Sequence, residues 1–139
     1  MRAAIAIAVL AGLAGWWPAM ADEASRSYAE APAAMQAKVI KVLESRGFKI
    51  SRQERRHDSL VTVGRLALPE LSPFFTCPNP EYTWAESWSE VTIDIVPQGT
   101  GSNLDLKAAF FERRFNRKET SSSQCDSSGT LEAEILGAL

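Results

Sequence analysis

Cys77, Cys125 and His57 are the only cysteine and histidine side chains of this 139-residue chain. Three such ligands cannot close a four-coordinate zinc site. An even pair of cysteines in a chain that carries an export signal reads instead as a disulfide, and we expect Cys77 and Cys125 to be bonded. His57 stands between Arg56 and Asp58, with Ser59 next. Those are the residue types of a nucleophile and its base. Neighbours within one turn do not converge on a substrate, however, so His57 reads as a solvated turn residue. The acidic residues are scattered along strand patterns rather than paired as a glycosidase needs. The chain has no G-x-S-x-G, H-E-x-x-H or C-x-x-C and no phosphate-cradling glycine loop; Gly99-Thr100-Gly101 is a turn with no helix behind it. The expectation is a protein without catalytic residues, metal or cofactor.

Two other side-chain groups could make contacts. Arg52, Arg55 and Arg56 form one basic cluster, and Arg113, Arg114, Arg117 and Lys118 form another. In a meander the clusters fall at opposite ends of the sheet, and charge that keeps strand ends soluble accounts for them. The stretch PFFTCPNPEYTWAESW carries Phe74, Phe75, Tyr82, Trp84 and Trp88. Such a long aromatic connection either folds over the sheet as core cover or forms a binding surface.

The first 21 residues read as a cleaved signal peptide. Arg2 is followed by a short apolar run, and Ala19-Met20-Ala21 supplies small residues for cleavage before Asp22. The apolar run is short of the roughly 20 residues that span a bilayer. Removing residues 1–21 takes away Arg2 alone among the charged residues, leaving 14 basic against 17 acidic residues. That balance disfavours nucleic acid and anionic membrane surfaces as partners. Residues 22–139 then form a single domain, expected in the periplasm with no membrane insertion after cleavage.

Within that domain, residues 22–29 read as a poorly ordered lead-in. Pro32 suits the first position of a helix whose apolar stripe is Met35, Val39 and Val42, flanked by Ile40 and Leu43. Gly47 and Phe48 provide a Schellman stop after Arg46. Phe48–Arg52 and Ser59–Leu66 read as a hairpin around a charged turn at 54–58, and residues 67–87 as a long connection. The plainest pattern follows. Val91, Ile93 and Ile95 alternate with Glu90, Thr92 and Asp94, and Leu104, Leu106, Ala108 and Phe110 resume the alternation after two glycines. This predicts a hairpin of 88–97 and 103–113. One register sets Asp94 against Asp105, and shifts to either side pair Asp94 or Glu90 with Lys107, so charge alone does not choose. We expect Asp94 opposite Lys107, which leaves both glycines inside the loop. Residues 114–128 read as polar and mobile apart from Cys125. Ser128 is placed to cap a last helix with Leu131, Ile135, Leu136 and Leu139 on its apolar side. The fold class is α+β: a four-stranded antiparallel sheet with two helices on one face, in the order α-β-β-β-β-α.

On the sheet face away from the helices, this register sets Trp88 across from Arg113 and diagonal to Phe111. An aromatic pair beside an arginine is a hot-spot composition. We therefore expect a partner surface at Trp88, Phe111 and Arg113, edged by Tyr82 and Trp84.

The segments GFKI, VTIDIVPQGTGSNLDLKAAFF and CDSSGTLEAEIL together resemble a group of small exported bacterial proteins, many of them lipoproteins of unknown function. They are also distantly similar to the helix-grip domains of the outer-membrane assembly lipoprotein BamC. The resemblance covers nearly all of residues 22–139 and implies the same α-β-β-β-β-α order. The chain lacks the lipid-acceptor cysteine, and no functional residue carries over. The function expected is binding of another cell-envelope protein. The alternatives are a small-ligand module with residues 74–88 closing over the sheet, and an unrecognised hydrolase.

Overall fold

The computed structural model describes residues 23–69, 73–77, 83–115 and 120–139. Its elements are β1 (Glu23–Tyr28), α1 (Pro32–Ser45), β2 (Lys49–Arg56), β3 (Ser59–Leu68), β4 (Phe75–Thr76), β5 (Thr83–Gln98), β6 (Gly101–Phe115), β7 (Thr120–Ser127) and α2 (Thr130–Ala138). The fold is α+β, but the sheet has seven antiparallel strands and not four. The four predicted strands are contiguous in it, in the order β2-β3-β5-β6 with β2 at the edge. The three additional strands are polar or very short. β1 and β7 both pair with β6, taking residues 102–107 and 110–115 of it respectively, and β4 pairs with the outer edge of β7.

Helix α1 lies where expected, but Leu43 and not Val42 completes its buried stripe, Val42 being partly buried. Pro32 opens it, and Met35, Val39 and Leu43 are buried. At its end the Gly47 N–H donates to the Glu44 carbonyl and the Phe48 N–H to that of Leu43, with Gly47 at φ 91°. That is the Schellman pair of bonds, and it turns the chain from the helix layer into β2. Ser128 is not the cap of α2. Gly129 holds that position in the left-handed region at φ 84°, while the Ser127 hydroxyl accepts the Gly129 N–H and the Ser128 hydroxyl that of Thr130.

One face of the sheet carries the core. Val91, Ile93 and Ile95 of β5 and Leu104, Leu106, Ala108 and Phe110 of β6 form one buried cluster with α1 and with Leu131, Ile135 and Leu136 of α2. Each fully buried apolar side chain of this kind contributes about 1.5–3 kcal/mol. Both helices therefore serve the same face, as their apolar stripes require.

The register of the central hairpin corrects the expectation. Asp94 lies opposite Asp105 and not Lys107, and the core pairs are Ile95–Leu104, Ile93–Leu106 and Val91–Ala108. The turn decides this. Gln98 pairs with Gly101, which leaves two central residues, and Gly99 takes φ 61° at the first of them, as in a type II′ turn. A tight turn matched to strand twist outweighs one partly solvated like-charge pair. The β2–β3 hairpin is tighter than predicted in the same way: β2 runs to Arg56, and only His57 and Asp58 form the turn, with His57 at φ 52°.

Gly101 has a second duty. A Cβ there would stand 2.2 Å from the carbonyl oxygen of Tyr28, where β1 ends. Gly101→Ala is expected to push β1 off β6 at a cost of about 1–3 kcal/mol. Hydrogen exchange should then show the amides of residues 24–28 exchanging freely while those of β5 stay protected.

Candidate functional site

The face opposite the helices is built from the other parity of each strand. Arg65 and Ala67 come from β3, Glu86, Trp88 and Glu90 from β5, and Phe111 and Arg113 from β6. Ala67 pairs with Trp88, and Trp88 pairs with Phe111. The small Ala67 leaves room beside the indole, and the Arg65 guanidinium lies 4.7 Å from its ring centroid. On the other side Phe111 stacks on Trp88 with centroids 5.6 Å apart and planes 22° from parallel. The result is a row of cation, indole and phenyl across three strands, with both rings half-buried.

This differs in detail from the expected surface. Trp88 and Phe111 are directly opposed, not diagonal, and Arg113 faces Glu86, to which it is ion-paired. Both differences follow from the two-residue register. Trp84 belongs to β5 and pairs with Arg114 along the backbone; Tyr82 lies outside the described residues. Sequence reasoning missed Arg65 and Glu86. The alternation of SLVTVGRL set Arg65 on one face with Val61 and Val63, which was the available signal.

The aromatic connection divides. Phe74 and Phe75 pack against the core, with Phe75 stacked on Phe110 at 5.5 Å and 14°. This part of it serves the helix-bearing face. Cys77 is bonded to Cys125, with Cα atoms 4.4 Å apart. Beside the disulfide lies Glu112, 1 % exposed, which accepts hydrogen bonds from Arg114 Nε at 2.5 Å and from the Ser123 hydroxyl at 3.2 Å. Cys77, Glu112 and Cys125 are the one group of three metal-type ligands among the described residues, and its two sulfurs are joined to each other.

The remaining candidates are dispersed. His57 and Asp58 are exposed in their turn, and the Ser59 hydroxyl donates to the Arg56 carbonyl at 2.9 Å. In the first basic cluster Arg52 and Arg56 both approach Glu54, at 3.7 and 2.6 Å. Of the second, Arg117 and Lys118 lie outside the described residues.

A cleft of roughly 400 Å3 opens at the sheet edge next to the aromatic row, lined by Gly47, Lys49, Ser51, Arg65, Leu66 and Ala67. It forms because β2 begins at Lys49, opposite Arg65, while β3 continues to Leu68. Among the described residues no helix is long and apolar enough to cross a membrane. Set against known proteins, the chain matches no family model and no curated protein.

Proposed function

We propose that this is a non-enzymatic periplasmic protein, exported with cleavage after Ala21, whose sheet face away from the helices binds another cell-envelope protein. The observation that carries the reading is the Trp88–Phe111 stack on the face that neither helix covers, flanked by Arg65 and Arg113. Large aromatics beside arginine are the side chains that dominate binding energy at protein interfaces. On the same face Val61 and Val63 of β3 are buried, while Trp88 and Phe111 keep part of their surface exposed. The Cys77–Cys125 disulfide supports an oxidising compartment.

Trp88→Ala tests the reading. The indole is half-buried, so its loss should cost about 1–2 kcal/mol of stability by urea unfolding. Crosslinking in intact cells followed by affinity capture should recover a discrete partner with the parent protein, and at least tenfold less of it with the variant. Material purified for this experiment should begin at Asp22. Equal recovery by the two proteins, or a loss of several kcal/mol that marks Trp88 as core, would overturn the reading.

A further inference from the structure

The cleft beside Arg65 has the chemistry of a site for one particular kind of chain. In the two-residue β2–β3 hairpin, Arg56 and Ser59 are the closing pair, so the odd residues of β3 direct their backbone N–H and C=O toward β2. The Val63 carbonyl confirms the side, since it accepts the Ser51 hydroxyl at 3.2 Å. By alternation the N–H and C=O of Ala67 point the same way. There β2 has already ended, so these groups face the cleft. Pro69 follows, with no N–H, and closes the exposed edge.

The charges around this edge are unbalanced. Lys49 and Arg65 are directly opposed on one face of the sheet, an unfavourable pairing. Among the described residues no carboxylate lines the cleft. The Arg65 guanidinium lies over Trp88, and no ion pair joins it to the facing Glu90 among the described residues. A carboxylate arriving from outside would sit between two cations that otherwise repel.

We propose that the cleft takes an extended acidic segment of the partner, which continues the line of β2 by pairing with Ala67 and places an Asp or Glu between Lys49 and Arg65. This is strand addition at a sheet edge, with main-chain bonds for affinity and one charged contact for selectivity. It rests on the partner-binding reading and extends it. Side chains on one parity of the added strand would reach toward Leu66, and those on the other toward Arg65 and Trp88.

The test uses the disulfide-bonded protein and a displayed library of random octapeptides, with a selected peptide resynthesised as a fluorescein conjugate. Selected peptides should carry Asp or Glu set among β-branched residues. Lys49→Glu should weaken the conjugate about tenfold, the size of one lost charged hydrogen bond. The Ala67 amide should exchange at least tenfold more slowly with peptide bound. Ala67→Pro, which removes that N–H, should weaken binding comparably; if this variant does not fold, Lys49→Glu and the exchange measurement still decide. An empty selection, peptides without acidic residues, an unchanged affinity for Lys49→Glu or an unprotected Ala67 amide would each overturn the proposal. If cell capture depends on Trp88 but is indifferent to Lys49→Glu, the acidic-strand proposal falls and the partner surface stands. If the peptide binds as described while capture ignores Trp88→Ala, the cleft stands and the proposed surface falls.

Discussion

Replacement of Cys77 and Cys125 by serine is expected to lower the stability of the protein by about 4 kcal/mol, the entropy lost from the unfolded chain when residues 48 apart are joined. The folded state explains why the effect would be concentrated. β4 has two residues, and its partners are Ser127 and Asp126 at the end of β7. β7 is itself rich in serine, so few apolar contacts hold it to β6 beyond Cys125, opposite Phe110. Without the bond, the Phe75 ring would leave Phe110, and the strand pair would open before the centre of the sheet. Urea unfolding of the parent and of the double variant gives the total, and hydrogen exchange gives the distribution. The amides of residues 122–126 should lose protection first. A difference below 1 kcal/mol would refute the cross-link account.

Arg114→Ala is expected to cost about 3–5 kcal/mol, because it strips a buried carboxylate of its counter-charge. The Glu112 side chain is 2 % exposed and that of Arg114 16 %. Among the described residues, Arg114 is the one cation ion-paired to Glu112, and Ser123 adds a neutral hydrogen bond. A second substitution identifies the cause. Glu112→Gln in the Arg114→Ala background should restore a large part of the loss, since a buried amide needs no counter-ion. Thermal or urea unfolding of both single variants and the double variant closes the cycle. If the double variant is as unstable as the sum of the singles, the pair contributes through packing and not through charge.

The parts of this fold legible in the sequence were those where an apolar period or a special backbone position speaks alone. The alternation through Val91–Ile95 and Leu104–Phe110 located the central hairpin, and Gly47 with Phe48 located the end of α1. The disulfide followed from cysteine count together with the expected export. β1 and β7 were hidden for a shared physical reason: an edge strand buries little, so its composition is set by solubility and not by the core. In β1 only Ala24 and Tyr28 pack against the core, and Arg26 reaches the Leu136 carbonyl. The core side of β7 carries Ser123 opposite Glu112, so a polar residue there answers a polar partner. The candidate surface was legible in composition but not in arrangement. Trp88, Phe111 and Arg113 do share the face away from the helices. Their pairing turned on a register chosen to keep both glycines in the loop, whereas Gly101 belongs to β6, and Arg65 drew no notice because its neighbours in sequence are apolar.

β6 has one further property. Along a single edge it holds β7 at residues 110–115 and β1 at 102–107, both antiparallel to it. The two therefore run in the same direction, with the end of β7 leading toward the beginning of β1. They form one row of the sheet, interrupted near Ala108 where the chain leaves for α2. That helix returns to the same place, its Leu136 carbonyl bound by Arg26 of β1. The path from Glu23 to Leu139 is thus nearly a closed circuit whose seam lies between α2 and β1. A gene that joined Leu139 to Glu23 through a short flexible linker and opened the chain between His57 and Asp58 would encode the same sheet in a different order of synthesis. Between Glu23 and Leu139 the connectivity nearly closes on itself, with α2 and β1 on either side of the seam.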